Sequence, residues 1–403
     1  MADYFIEEES LVAIADAIRG NIGGEGVIYP GDMPDRIRDG SGNITTFIER
    51  TATEMIHHNL TTIGDYAFYN NPTIANINFP NCTAVGTSAF TGCTNITNVT
   101  LGTETACSFP SASSTLTTLS FPNAVNVGAN YFKGCANLTT AFIPNCTTIG
   151  SSAFNGCTNL TAADFPNCTT IGADAFKGCT NLQNVELAIS ISLTSANNPV
   201  KDALKSLTEI SFTNCTSIAA STFGISSPDP ASSRCPNLRV AHFPACTFVG
   251  ASAFDDCANL SDIHFPVCTS LSYRAFAHCF QLENASFPLC TSVGEDAFLC
   301  CSILANVSLP ECVSIDKEAF CLCTQLKFLD LPKCTNISSK AFWGTDLDIL
   351  ILRHSGVVTI DANIFESATI PNIYVPSSLV SRYATNASWA NFSNNILPLD
   401  EAE

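Results

Sequence analysis

Apolar residues recur along most of the chain with a period of 22 residues. A second marker, an apolar residue followed by proline as in Phe265-Pro266, keeps the same step as the dipeptide Ala-Phe. This period lies within the range of leucine-rich repeats. About 14 units can be counted from Ile74 to Ile370, so the sequence predicts an array of stacked coils. The phenylalanines that close the Ala-Phe pairs are Phe68, Phe90, Phe154, Phe176, Phe254, Phe276, Phe298, Phe320 and Phe342.

One unit shows what each coil is expected to contain. From Asp262 to Phe265 polar and apolar residues alternate, as they do in a strand with one buried side. Pro266 has no N–H to continue a sheet, so the strand ends there. The residue three positions before each Ala-Phe pair is Gly, Ser or Asp, and it is Ser272 in this unit. These residue types are typical helix N-caps. The pattern therefore predicts a short helical turn from Ser272 to Phe276.

These coils predict the fold class. A coil of this length cannot bury its own apolar side, so neighbouring coils must stack and pair their strands in parallel. We expect an α/β repeat solenoid, a leucine-rich-repeat right-handed superhelix with a parallel concave sheet and short helical turns on the convex side. The array is expected over residues 43–376. A small helical module at 1–42 precedes it, and a helical cap with an acidic tail follows at 377–403.

Two segments depart from the period. Residues 101–115 replace the Ala-Phe turn with a Ser-rich stretch. Residues 188–235 form a longer insertion, in which Asn198-Pro199 predicts the start of a small helix through Leu204. Residues 225–234 contain two prolines and predict a loop. Insertions in solenoids map to one face and often carry binding, but they also serve as spacers, and both interpretations stay open.

Cysteine is abundant, with 21 residues in the chain. Cysteines recur every 11 positions from Cys135 to Cys179 and again from Cys235 to Cys334. Because 11 is half of the repeat, each coil offers two cysteines, and each forms a column along the array. The absence of any C-x-x-C sequence removes the usual zinc-ribbon and thioredoxin signatures. We interpret the cysteines as small buried hydrophobes. A disulfide framework is the alternative, which the odd count and synthesis in the cytoplasm oppose.

Charge and motifs exclude several classes of function. The chain has 17 basic and 36 acidic residues, a net charge of −19, which disfavours nucleic acids and anionic membranes as partners. No apolar run approaches the roughly 20 residues that a bilayer requires, and the N-terminus lacks a signal peptide, so we expect synthesis in the cytoplasm and no membrane insertion. No G-x-S-x-G, H-E-x-x-H or phosphate-binding loop is present. We therefore expect no enzyme activity and no cofactor.

The repeat units resemble those of a known family. The segment from Phe165-Pro-Asn-Cys to Gly-Cys-Thr-Asn-Leu182 is similar to the BspA-like (treponemal-type) leucine-rich repeats, and the similarity covers roughly residues 44–376. Residues 373–383, followed by Trp389 and Phe392, resemble the closing helix that caps such arrays. The resemblance implies a noncatalytic surface or adhesion protein that binds other proteins or glycans.

The N-terminal module has its own pattern. Ser10 can cap a helix that Gly20 closes, and a second turn of helix is predicted from Asp32 to Ile37. Residues 9–19 are similar to leader modules of bacteriophage tail-associated proteins, which implies contact with a particle or an oligomer through residues 1–42. The alternative is a cap for the open end of the solenoid. The candidate docking residues on the apolar face of the first helix are Leu11, Ile14 and Ile18.

The concave face is the candidate binding surface, because the strands that line it point every second side chain outward. These outward rows are mostly small and neutral, which suits hydrogen bonding to a protein edge or a glycan and equally suits a plain soluble surface. The candidate residues are Asn76, Asn78, Asn98, Thr100, Phe142, Asp164, Glu186, Val240, His242, Asp262, His264, Phe328 and Asp330.

Two of these residues, His242 and His264, stand one repeat apart and are expected about 5 Å apart on adjacent strands. Such a pair could share a metal ion or respond to pH. The sequence indicates no carboxylate neighbour for them, so exposed strand residues are the favoured interpretation and no metal site is predicted.

Two functions fit these patterns. The first is a noncatalytic binding scaffold of a phage particle or prophage, attached through its N-terminal module and virion-associated. The alternative is a bacterial cell-surface adhesin that leaves the cell by an unrecognised route. In both, the partner is a protein or glycan receptor.

Overall fold

A computed structural model describes residues 61–64, 67–102, 114–225, 234–361 and 363–401, together with the backbone of three strands between residues 35 and 56. Two compact units are present, one ending at Cys179 and the other beginning at Thr180. Both are built from coils in which a longer strand alternates with a two-residue strand. Within each unit, strands of successive coils pair in parallel. The predicted repeat solenoid is thus confirmed as a parallel-strand β-solenoid.

The first unit begins with two antiparallel strands, β1 (Asp35–Arg38) and β2 (Ile44–Ile48). Its longer strands, the long-strand ladder, are β3 (Glu54–Ile56), β5 (Asn76–Phe79), β7 (Asn98–Leu101), β8 (Thr118–Ser120), β10 (Thr140–Phe142) and β12 (Ala162–Phe165). Its short strands, the short-strand ladder, are β4 (Thr62–Ile63), β6 (Ala84–Val85), β9 (Asn126–Val127), β11 (Thr148–Ile149) and β13 (Thr170–Ile171).

The second unit repeats the plan. Its long-strand ladder contains β14 (Asn184–Leu187), β16 (Glu209–Phe212), β18 (Val240–His242), β20 (Asp262–His264), β22 (Asn284–Ser286), β24 (Asn306–Ser308), β26 (Phe328–Leu331), β28 (Ile349–Leu352), β30 (Asn372–Val375) and β31 (Ile396–Pro398). Its short-strand ladder is one continuous eight-stranded sheet of β15 (Ser192–Leu193), β17 (Ser217–Ile218), β19 (Phe248–Val249), β21 (Ser270–Leu271), β23 (Ser292–Val293), β25 (Ser314–Ile315), β27 (Asn336–Ile337) and β29 (Thr359–Ile360).

Phenylalanine columns form the core between the ladders. In the second unit Phe276 is fully buried and stacks on Phe254 and Phe298, with ring centroids 5.2 Å and 5.8 Å apart. The planes are within 1° and 8° of parallel, because equivalent residues of identical coils must point the same way. Each ring therefore gains contact from the coil before it and the coil after it, and no coil buries its phenylalanine alone.

The segment predicted as a helical turn is instead a pair of tight turns. In the coil after Ser272, Ala275 N–H donates to Ser272 O and Ala277 N–H to Arg274 O, both three residues back. Arg274 and His278 take positive φ values of 53° and 57°, which a right-handed helical turn does not allow. The prediction of helical turns was wrong because the N–H groups of alternate residues in this turn segment donate to the next coil rather than within their own coil.

These turn segments form a third hydrogen-bonded ladder, the turn ladder. Phe254 N–H donates to Ala275 O at 2.9 Å, and Phe276 N–H donates to Ala297 O, so each bond runs forward to the following coil. The bonds that flank the short strands run the opposite way. Thr269 N–H donates back to Thr247 O at 2.8 Å in the preceding coil. Every coil is therefore tied to both neighbours on separate sides.

The Gly, Ser or Asp before the turn does not act as a helix N-cap. A Cβ placed on Gly150 would lie 2.5 Å from the backbone nitrogen of Ala129, and one on Gly172 would lie 2.3 Å from that of Ser151. Close approach of successive coils explains these glycines, since neither has a positive φ.

Residues 35–38 form strand β1, where a helix from Asp32 to Ile37 was predicted. β1 pairs antiparallel with β4, with Ile37 opposite Ile63, at the edge of the short-strand ladder. The apolar spacing was compatible with either element, and pairing with an open sheet edge favoured the strand. The remainder of residues 1–42, including Ser10 and the predicted docking helix, lies outside the described residues.

Helical structure is confined to short segments of the second unit among the described residues. A 3-10 helix, Lys201–Ala203, stands in the predicted insertion, and it is shorter than the sequence indicated. Asn198 Oδ1 accepts from Val200 N–H and so forms a local turn ahead of it. Near the C-terminus come 3-10 helix Ser377–Leu379, helix α1 (Val380–Ala384), and 3-10 helices Ala387–Asn395 and Leu399–Glu401.

The C-terminal segment closes the core of the second unit. Trp389 is fully buried, and its Nε1–H donates to Val358 O at 2.8 Å. Tyr383 is also buried, and its hydroxyl accepts from Val358 N–H. After these aromatics β31 pairs in parallel with β30, so the segment expected to be only a helical cap also adds a strand to the ladder.

The two cysteine columns pack into the core as predicted. Nineteen of the twenty cysteines in the described residues are buried. One column donates S–H to the carbonyl two residues ahead, as Cys146 does to Thr148 O at 3.3 Å. The other column donates to a phenylalanine carbonyl of the preceding coil, as Cys301 does to Phe276 O at 3.1 Å. Burial raises the pKa of such thiols, for example that of Cys290 to about 11.

Candidate binding face

The long strands place their side chains alternately in the core and outside. In β5, Ile77 and Phe79 are buried, whereas Asn76 and Asn78 are partly exposed. The same alternation holds in β16 and β26. None of the thirteen predicted binding residues is buried. The outward side of each long-strand ladder is therefore a surface that the sequence located correctly, while its role in binding remains a prediction.

In the first unit this surface begins with a row of paired amides and hydroxyls. Asn98 Nδ2 donates to Asn76 Oδ1 at 2.5 Å, and Thr118 Oγ1 donates to Asn98 Oδ1. The second outward row of the same strands holds Asn78 and Thr100. The register of the ladder repeats these groups at the strand spacing of about 4.8 Å. Hydrogen-bonding groups are thus fixed in position before any partner arrives.

In β10, two coils after the coil of Thr100, the outward row contains an aromatic ring. Phe142 is 53% exposed although it lies on a regular strand. Asp164 occupies the equivalent outward position on β12 and is exposed as well. Large aromatic residues are enriched at binding interfaces.

In the second unit the outward row contains an imidazole cluster. His242 and His264 lie opposite each other in β18 and β20, with ring centroids 5.8 Å apart. His242 Nε2 lies 3.3 Å from Asp262 Oδ2, so the pair does have a carboxylate neighbour, contrary to the sequence interpretation. Asp262 lies diagonally across the ladder from His242, because it stands two positions before His264, the residue directly opposite. The 22-residue period identifies only the residues that are directly opposite. Val240 borders this His242–His264 cluster on the same strand.

Two other predicted residues lie further along the second unit. Phe328 is 49% exposed, and Asp330 on the same strand β26 pairs with Arg353 Nε at 3.0 Å. Glu186 stands on β14, the first long strand of this unit. The outward surface of the second unit thus includes the aromatic side chains of Phe328 and Tyr374, two imidazoles and several carboxylates.

A further polar cluster lies on the turn ladder of the second unit, and the sequence analysis missed it. Asp255 is only 1% exposed, and its Oδ1 lies 2.9 Å from His278 Nδ1. Its Oδ2 lies 3.4 Å from Arg274 Nε. The hydrogen bond to the Asp255 carboxylate, followed by one to the Cys300 thiol, raises the pKa of His278 to about 9. Burial, helped by the charge of Asp255, raises the pKa of Asp256.

These residues could in principle hold a metal ion. The ligand atoms of Asp255, Asp256 and His278 lie within 4.8 Å of one another, the only such set of three in the described part of the chain. The guanidinium of Arg274 already neutralises the buried carboxylate, and it would repel a cation. The set therefore fits an ion-pair network better than a metal site. His242 and His264 do not complete a set of three ligands there.

One repeat position could have revealed this cluster. Five coils carry glycine with positive φ at this position, namely Gly92, Gly134, Gly156, Gly178 and Gly344. Asp256, His278 and Cys300 replace that glycine in three successive coils and keep the positive φ, and Leu322 follows them in the same column. The replacement of glycine by three residues with functional side chains is a signal that the sequence contains.

No helix among the described residues is both long and apolar enough to cross a membrane.

The sequence profile described as the BspA type leucine rich repeat region matches residues 47–139, 125–228, 228–347 and 291–394, which is most of the chain. None of the curated proteins matches it.

Several solved structures are similar to this chain. A leucine-rich cell surface protein from Faecalibacterium prausnitzii shares 19% identity, with 91% of this chain and 97% of that chain covered and a TM-score of 0.30. A leucine-rich repeat protein from Bacteroides ovatus shares 20% identity, with 89% and 98% covered and a TM-score of 0.38. An internalin from Listeria monocytogenes shares 11% identity, with 84% and 98% covered and a TM-score of 0.45.

Proposed function

The chain belongs to the BspA-type leucine-rich repeat family, and we propose that it is a noncatalytic scaffold that binds a protein or a glycan. The binding surface of this proposal is the outward side of the long-strand ladders. The observation that carries it is the exposure of Phe142 and Phe328, 53% and 49%, on strands whose other outward residues are polar.

Exposed rings among polar groups suit recognition for a physical reason. An aromatic ring buries a large apolar area when a partner covers it, and few rotamers are lost. Paired amides such as Asn76–Asn98, and carboxylates such as Asp262, supply directional hydrogen bonds beside it. Hydroxyl-rich glycans and the edges of extended polypeptides both present complementary groups at such spacings.

The test uses the full chain, fluorescently labelled, on a glycan array and on intact bacterial cells with and without protease treatment. Phe328→Ser and His264→Ala are expected to lower binding to the best array or cell target by about tenfold each, as truncation of a buried anchor does. Leu289→Ser is the matched control, because Leu289 is 47% exposed but lies outside the long strands. Binding that survives both face variants, or is abolished by Leu289→Ser alone, would overturn the proposal.

For the setting, we propose attachment to a phage particle through residues 1–42. The support is the sequence of residues 9–19 and the apolar stripe of Leu11, Ile14 and Ile18. A bacterial surface adhesin is the alternative setting, and the same binding face serves both. Co-sedimentation of the full chain with phage particles tests the first setting, and surface labelling of intact producing cells tests the second.

A further inference from the structure

Cys300 differs from the other cysteines of the described residues because it alone is partly exposed rather than buried. It lies in the column of Asp256 and His278, one coil after the histidine. All three residues have φ between 57° and 61°, so their side chains leave the turn ladder in the same direction. His278 N–H bonds to Leu299 O at 2.7 Å, which sets the histidine directly beside Cys300.

The contacts join three groups in a line. On one side, the thiol of Cys300 is close enough to the His278 ring to raise the pKa of that ring. On the other side, His278 Nδ1 lies 2.9 Å from the Asp255 carboxylate, which Arg274 also contacts. The buried carboxylate fixes the orientation of the ring and keeps a proton on Nδ1. A thiol, an imidazole and an orienting carboxylate in this order are the elements of an activated nucleophile.

We propose that Cys300 is a reactive thiol that forms mixed disulfides with small disulfide compounds, with His278 and Asp255 as its positioning residues. The thiolate is the nucleophile in such reactions, and a neighbouring imidazolium stabilises it. The proposal concerns a site of covalent modification, and it is independent of the binding face on the long strands.

The step balances without a further oxidant. The Cys300 sulfur attacks one sulfur of the small disulfide, a new S–S bond forms, and the old S–S bond breaks. The second half of the compound leaves as a thiolate. Because the pKa of His278 is raised to about 9, its ring is already protonated at neutral pH, and the proton of the Cys300 thiol passes to water. The small disulfide is the oxidant, because one of its sulfurs is reduced while Cys300 is oxidised.

The neighbouring cysteines lack this environment. Cys301 is fully buried, and its S–H is engaged with a backbone carbonyl. Cys321 in the next coil is also buried, and burial raises its pKa to about 12. Both thiols should therefore stay protonated and inaccessible while the coils remain folded.

The test follows the reaction of the folded full chain with the neutral disulfide 4,4′-dithiodipyridine, whose leaving group absorbs light. The experiment uses the Cys107→Ser background, since Cys107 lies outside the described residues. One equivalent should react fast at neutral pH, peptide mass spectrometry should map it to Cys300, and denatured protein should react at the remaining cysteines. Cys300→Ser should remove the fast phase, and Cys321→Ser, the matched control, should retain it.

The role of His278 is tested by His278→Gln, which should slow the fast phase by about tenfold or more. The pH–rate profiles of the parent and the variant should differ between pH 6 and 10, because only the parent carries an imidazole whose pKa is raised to about 9. The charged groups that face His278 are Asp255, Asp256 and Arg274, so both proteins keep the same background charge. A fast phase that survives Cys300→Ser, or an unchanged rate in a folded His278→Gln variant, would refute the proposal.

Discussion

At the scale of the residue, stability comes from side chains that meet their own counterparts in the next coil. Phe276 has aromatic contacts with the coils on both sides. A substitution in such a column affects three coils at once, because the residue contacts the coil before it and the coil after it.

The first prediction concerns Phe276→Ala. Removal of this ring should cost about 3–5 kcal/mol of local stability, since it leaves a cavity between two stacked rings. Amide hydrogen exchange should show the loss of protection in the flanking coils first and in distant coils least. Phe328→Ala, at an exposed ring, is the control and should change exchange little. A uniform loss along the chain would contradict the prediction.

The second prediction concerns pH and His278. Its pKa of about 9 in the folded protein lies above the ordinary value of 6.5, so the protonated form is favoured by folding. The contribution is fully present below pH 6.5 and is lost as the pH rises through 9. His278 should contribute on the order of 1–3 kcal/mol to the decline in the free energy of unfolding across this window, measured by urea unfolding. The buried cysteines add to the decline toward pH 9, because burial raises the pKa of their thiols in the folded protein and they ionise first in the unfolded chain. His278→Gln should therefore make the decline smaller, and His264→Gln, at an exposed imidazole, should leave it unchanged.

At the scale of the element, the sequence predicted the long strands and the cysteine columns because their patterns repeat in most of the units. It could not predict the short-strand ladder, since strands of two residues, such as β21, are too short to show alternation. It also missed the positive φ at Arg274 and Lys340, because these residue types do not favour that conformation. At Arg274 the hydrogen bond from its N–H to Glu295 O in the following coil compensates for it.

The candidate site was predictable in part for the same reason. Which strand residues point outward follows from alternation, and none of the thirteen is buried, while their role in binding stays a prediction. Contacts that depend on side-chain reach, such as that between His242 and Asp262, are diagonal and cannot be inferred from a one-dimensional pattern. Asp255, His278 and Cys300 lie in the turn segments of successive coils, where the sequence pattern predicted only core residues and helix caps.

At the scale of the whole molecule, the two units share one building plan, and the family profile matches residues in both. The net charge of the chain is −19, which disfavours partners rich in phosphate. How the array is attached is a separate question, which the N-terminal residues can answer.

The third prediction separates a cap from a docking segment with two truncated chains. A chain that begins at Asn43 lacks β1, so the edge of β4 is exposed and we expect aggregation. A chain that begins at Met33 keeps β1 and should stay folded by circular dichroism. If residues 1–32 dock, this second chain should lose association with its particle or oligomer in light scattering. An insoluble Met33 chain, together with a monomeric full-length protein, would defeat docking.

The opposed hydrogen bonds of the coils have an electrical consequence. In an α-helix all peptide dipoles point the same way, and about half a unit charge appears at each end. In the second unit the bond from Phe254 to Ala275 points forward, while that from Thr269 to Thr247 points back. Their dipoles offset each other in part within every coil. We therefore expect little partial charge at the ends of such a stack, so coils can be added without creating poles that attract ions.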